Sequence, residues 1–190
     1  MPFIRKHSPL NVPTIEIGGP DTGGPVWTST IIANSGVIQL GDPVEVVQNG
    51  AGDGHIVQRL SAVTDMILGV VRGVRRGDGT AISPDAGTAD TYTVAADNET
   101  VAKIYAIVDV TPRAVYSAPF TGTIHTTVRF AGGVYCDLGV TTACDTIDET
   151  TCTSTLVQGR QVVALGPDPD NTTRGLVMIG TTTFDGGNAI

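Results

Sequence analysis

The residues best suited to chemistry are three cysteines, three histidines and several acids set beside glycine or proline. Cys136, Cys144 and Cys152 recur at intervals of eight. Zinc sites are usually built from closely spaced cysteine pairs, and this chain has no CxxC. His125 would complete a set of four ligands, but the spacing does not resemble a zinc framework. Two of the three cysteines can form a disulfide, most readily in a particle exposed outside cells. Buried or half-buried free thiols are the expectation adopted here.

The acids support little catalysis. Asp21-Thr22-Gly23 matches the triplet of aspartic proteases, where an apolar strand delivers each carboxylate to a shared proton. Here the triplet lies between Gly-Gly-Pro and Gly-Pro, within a stretch of turn formers. Asp168, Asp170 and Asn171 (PDPDN) offer hard oxygen ligands, yet a calcium loop needs a longer series closed by a bidentate acid. A β-turn is expected there, and also at Asp53 between two glycines. His7, His55 and His125 are scattered, and neither a GxSxG elbow nor a GK[ST] phosphate loop occurs. Asn98-Glu99-Thr100 and Asn171-Thr172-Thr173 match the glycosylation sequon, but no secretory signal accompanies them. These residues predict no enzyme activity, no cofactor and no metal.

The elements that must position these residues are strands. Gly 24 and Pro 11 in 190 residues are too many breakers for a helical bundle. The chain holds 27 Thr and 23 Val, and β-branched residues at that density favour sheets. Hydrophobic residues at 41% suffice for a core, while charged residues at 16% fall below the roughly 25% of average proteins. Such a surface suits contact with other protein. Net charge is −8, and Lys6 and Lys103 are the only lysines. Nucleic-acid binding is disfavoured, because neutralising phosphates requires clustered Lys and Arg. Arg72, Arg75 and Arg76 form the nearest approach to a basic patch. No apolar run reaches the ~18 residues of a membrane helix, so a product made in the cytoplasm and no membrane partner are expected.

Residues 1–26 hold five prolines and two glycine pairs and read as an extended arm, with Thr14–Ile17 its one strand-like run. Phe3, Ile4, Leu10, Val12 and Ile15 are its candidate anchors on a neighbour. Residues 27–190 read as one β domain, with a subdivision possible near 77–90: an all-β sandwich, jelly roll or barrel. Strands are expected over 26–33, 36–40, 44–48, 55–60, 66–74, 101–110, 114–117, 122–130, 133–138, 156–166 and 176–184. The run 101–110 reads as the strongest and most central. Residues 49–54 (NGAGDG) form a hairpin loop, 77–90 a long polar loop and 139–155 a loop-like segment, with a short helix conceivable near 60–66. Trp27 stands at the junction of arm and body.

GDPVEVV (41–47) followed by MILGVVRGV (66–74) resembles the opening of small tailed-phage virion proteins. The sequence continues with AKIYAIVDVTPRAVYSAPF (102–120), CDLGVTTACDTIDETTCTSTL (136–156), VVALGPDPDN (162–171) and GLVMI (175–179). Over roughly residues 40–180 this layout is similar to capsid decoration, or cement, proteins of tailed bacteriophages. The Pro-rich arm departs from that pattern, as does the lack of a more acidic, glutamine-containing run after Tyr116. The resemblance implies a non-enzymatic β protein on the outer surface of an assembled capsid. There a homotrimer or homodimer would staple neighbouring major capsid protein subunits. Phe3, Ile4, Arg5, Leu10, Trp27, Arg72, Arg75 and Arg76 are the expected interface residues. Rival readings are another virion part, such as a head fibre base or tail tube subunit, and a carbohydrate-binding β module. Aromatics at 5% are a poor supply for a sugar-binding face.

Overall fold

A computed structural model describes residues 3–5, 27–48, 55–62, 65–111, 114–121, 134–139, 146–153 and 161–179. The fold is all-β, and two separate sheet systems divide the strands. The first contains β1 (Ile4–Arg5), β2 (Trp27–Ile32), β3 (Val37–Gln39), β4 (Pro43–Gln48), β5 (His55–Arg59), β6 (Gly69–Arg76), β7 (Thr91–Thr93) and β8 (Ile104–Asp109) in chain order. Of these, β2, β5, β4, β6 and β8 close into a barrel in that order, β3 pairs only with β7, and β1 leaves to join the second system. That second system adds β9 (Val115–Pro119), β10 (Val134–Gly139), β11 (Thr146–Thr153), β12 (Val162–Asp168) and β13 (Asn171–Ile179). It is a six-stranded sheet in the order β1-β9-β13-β12-β10-β11. The change from barrel to sheet falls between Asp109 and Val115; residues 77–90 lie within the barrel half as the connection from β6 to β7.

Strand alternation builds two cores. Ile32, Val44, Val57, Val71, Val74, Ala106 and Val108 fill the barrel, joined by Ile38, Tyr92 and Val94 from the β3–β7 pair and its exit. Tyr116, Ala118, Val134, Leu138, Ile147, Val162, Ala164 and Val177 form the sheet's core, which also takes Leu60, Ile67 and Val70 from the barrel half. Gln161 adds a polar tie: its Nε2 donates to Asp65 O at 2.8 Å, and its Oε1 accepts Leu138 N–H at 3.1 Å.

Several expectations are corrected. Phe3 is not an outward anchor: it is 1% exposed in the sheet's core, its ring edge-on to Tyr116 at 6.0 Å between centroids. Ile4 and Arg5 likewise belong to the body, pairing with Ser117 and Tyr116 of β9. The pattern behind this is one apolar residue before two strand residues, too short to register as periodicity. The run 101–110 is a strand only from Ile104. Asn98–Ala102 instead make a π-helical turn, ended by Lys103 at φ 47°, with Val101 71% exposed. Buried Asn98 pins that turn, donating to Ile32 O (2.7 Å) and Ile104 O (3.1 Å) while accepting Ile104 N–H (2.8 Å). The segment 139–155 is not wholly a loop, because Thr146–Thr153 is β11 on the sheet's edge, where β-branched threonines suit a half-buried strand. Cys136 and Cys152 are not free thiols but a disulfide. No helix forms among the described residues of 60–66; Asp65 Oδ2 instead accepts the N–H groups of Ser61 (3.0 Å) and Ala62 (2.6 Å). Leu10, the triplet at 21–23, the 49–54 loop, the strand expected over 122–130, His7, His125 and Cys144 lie outside the described residues.

Candidate interaction surface

The outside of the barrel carries an apolar row that alternation alone would not predict for a water-facing sheet. Val47 of β4 stands opposite Ile56 of β5, which stands opposite Ile31 of β2. Ile31 in turn faces Tyr105 of β8, and Tyr105 faces Arg75 of β6. Their strand neighbours Val46, Val57, Ile32, Ala106 and Val74 belong to the interior cluster, so this row points the other way. Val47, Ile31 and Tyr105 are half-buried, and Ile56 is buried.

Arg75 ends the row, and Arg76 follows it at the exposed corner where β6 turns. That corner is fixed by backbone bonds from Arg76 N–H to Thr80 O (2.8 Å) and from Gly79 N–H to Arg76 O (3.0 Å), with Gly79 at φ 88°. Asp78 Oδ1 accepts Thr80 N–H at 2.8 Å, and this bond holds the exposed Asp78 carboxyl below its ordinary value. Arg72 lies at the bulge between Val71 and Gly73, where the register with β8 shifts. Among the described residues no carboxylate lies within ion-pair distance of Arg72, Arg75 or Arg76. Three cations beside a tyrosine and aliphatic residues are the types that dominate protein–protein contact energies.

The other expected contact residues are not brought to this surface. Phe3 is internal, and Ile4 and Arg5 lie in β1 on the six-stranded sheet. Trp27 opens β2 opposite Asp109 at the barrel's start. Sequence reasoning found the arginines but missed Val47, Ile31 and Tyr105. The signal was present: IYAIV and TII are apolar at both parities of the strand, so both faces are covered.

Polar clusters elsewhere serve packing. Asp168 of the PDPDN turn is 2% exposed; its carboxylate accepts Ser117 Oγ–H and, at 3.0 Å, Asp170 N–H. Arg174 donates from Nε to Ser117 Oγ (2.9 Å) and from Nη2 to Ser117 O (2.7 Å), joining β13 to β9. Glu45, 9% exposed, accepts Gln58 Nε2–H at 2.8 Å. Burial, reinforced by the neighbouring Asp65 carboxylate, raises the Glu45 carboxyl above its ordinary value despite the Gln58 and Ser61 hydrogen bonds. Among the described residues no group of three His, Cys, Asp or Glu side chains is placed to hold a metal ion. No family model matches the chain, and no curated protein matches it either.

Proposed function

We propose that the chain is a non-enzymatic structural protein of a tailed-phage virion. It binds the outer surface of the assembled capsid and cements neighbouring major capsid protein subunits as a homotrimer or homodimer. It needs no cofactor and contacts neither nucleic acid nor membrane. The observation that carries this reading is the row Val47–Ile56–Ile31–Tyr105 ending on Arg75 and Arg76, apolar in its body and cationic at its rim. The layout shared with cement proteins over residues 40–180 supports it independently. A symmetric oligomer touching several subunits converts weak single contacts into tight attachment through effective concentration.

The buried position of Phe3 dictates how the arm must be tested. Removing residues 1–26 would empty a core position and confuse misfolding with lost binding. Replacing residues 6–25 by a Gly/Ser linker of equal length keeps β1 in place. Co-sedimentation with capsids then tests the arm, and Arg75→Glu with Arg76→Glu tests the barrel rim. Loss of pelleting in the arginine variant is expected. Pelleting equal to that of the natural chain would overturn the proposed surface.

A further inference from the structure

A cleft of about 600 Å³ opens in the barrel half where two parallel strands part. β2 and β5 run together through Ile32 and Val57, and Ala33 N–H donates to Val57 O at 2.9 Å. β2 then turns away at Ala33–Gly36, with Ser35 at φ 53°, while β5 continues. Alternation sends the N–H and C=O of Arg59 to the same side as Val57 O, into the gap that β2 has left. On the opposite wall, Gly36 O accepts Val94 N–H at 3.0 Å and Leu40 N–H donates to Asp90 O at 2.9 Å, so the even residues face β7. The N–H and C=O of Val37 therefore face the cleft. Neither pair of backbone groups has a partner among the described residues. The floor is Ile32, Ile38 and Leu60, at 0%, 0% and 3% exposure, and Val37 stands at the rim at 40%.

One end of the cleft is rigidly closed. Asp42, fully buried, takes Arg59 Nε at 2.6 Å and Arg59 Nη2 at 3.1 Å, and also accepts Gln39 N–H at 2.7 Å. A single carboxylate thus ties the end of β3 to the end of β5. Two facing strand edges with free donors and acceptors above an apolar floor form an acceptor for an extended chain.

We propose that this cleft receives the segment Thr14–Ile17 of a second copy, adding it as a strand between β3 and β5. The inference rests on the homo-oligomeric part of the reading above. Residues 6–26 leave the body at Arg5 and return at Trp27, so each copy carries 21 residues tethered at both ends. Within them Thr14-Ile15-Glu16-Ile17 alternates polar with apolar, which places Ile15 and Ile17 on one side, toward the floor. Pro13 and Gly18-Gly19 limit that run to four residues, close to the three-residue edge of β3.

Residue-specific amide exchange of the full chain by NMR, at two protein concentrations and alongside light scattering, tests this. The proposal predicts that the Val37 and Arg59 amides exchange at least about tenfold more slowly when the protein is concentrated enough to associate. Ile15→Asp with Ile17→Asp should abolish that protection and shift the mass toward monomer. Exchange unaffected by the double variant would overturn the proposal. Protection that is independent of concentration but lost in the variant would overturn it too, because the occupant would then be the chain's own segment. Capsid pelleting that persists without the protection would remove this inference and leave the cement reading standing.

Discussion

Phe3→Ala tests whether the N-terminal residues belong to the body. Phe3 is 1% exposed against Tyr116, and its N–H donates to Gly41 O at 3.0 Å, which ties β1 to the barrel half. Truncating a phenylalanine in a packed core costs about 3–5 kcal/mol. A chain end can withdraw rather than leave a rigid cavity, which places the expectation at the lower limit, about 3 kcal/mol. Gly41→Ala attacks the same contact from the other side. Gly41 sits at φ 89°, and a Cβ there would lie 2.6 Å from Phe3 O. The left-handed conformation alone costs an L-residue about 1–2 kcal/mol, and the clash with backbone forces β1 away. The two substitutions therefore break one contact twice. The double variant should be less destabilised than the sum of the singles by about 1–3 kcal/mol. Urea unfolding followed by circular dichroism measures all four proteins. A Phe3→Ala cost under about 0.5 kcal/mol, the range of ordinary surface changes, or full additivity with Gly41→Ala, would refute the docking of β1.

Further predictions concern the disulfide, the buried acid, the buried amide and the arginines. Cys136 and Cys152 close a loop with a sequence separation of 16, so Cys136→Ser with Cys152→Ser should lower stability by about 3 kcal/mol, and reductant should do the same to the natural chain in urea titrations. Glu45 has a raised folded-state pKa, so it favours the fold below its unfolded value and loses that contribution as pH rises through the folded one. Glu45→Gln should therefore flatten the dependence of Tm on pH above about 4.5 and gain on the natural chain toward pH 7; parallel melting curves from pH 4 to 8 check this. Asn98→Ala strands two buried carbonyls and an N–H, costing about 2–4 kcal/mol by urea unfolding, whereas exposed Val101→Ala should stay within about 0.5 kcal/mol. Arg75→Glu with Arg76→Glu should leave Tm nearly unchanged while reducing capsid binding at least about tenfold, read by pelleting.

The β rhythm was legible because turn formers punctuate runs of β-branched residues. GDPVEVV and MILGVVRGV lie at strands β4 and β6, and PDPDN turns β12 into β13. Sequence could not reveal that Ile104–Asp109 and Val115–Pro119 serve different sheets, since Asp109 and Val115 are separated by an ordinary short connection. Phe3 was misread because prolines nearby suggested an arm, while its burial depends on strands more than a hundred residues away. Val101 reads as strand by composition, but the three hydrogen bonds of Asn98 hold a helical turn there instead. The candidate surface was half visible: the arginines stand out in a chain with two lysines, whereas the apolar row emerges only from the register of four strands around a barrel.

The central claim is attachment to the outside of a capsid. The direct measurement is co-sedimentation of the purified protein with immature and expanded capsids of the same phage, with its own mass determined by light scattering. The account predicts a dimer or trimer that pellets with expanded capsids at a fixed ratio to major capsid protein. A monomer that stays in the supernatant with both, or a protein that assembles into rings or fibres alone, would contradict it.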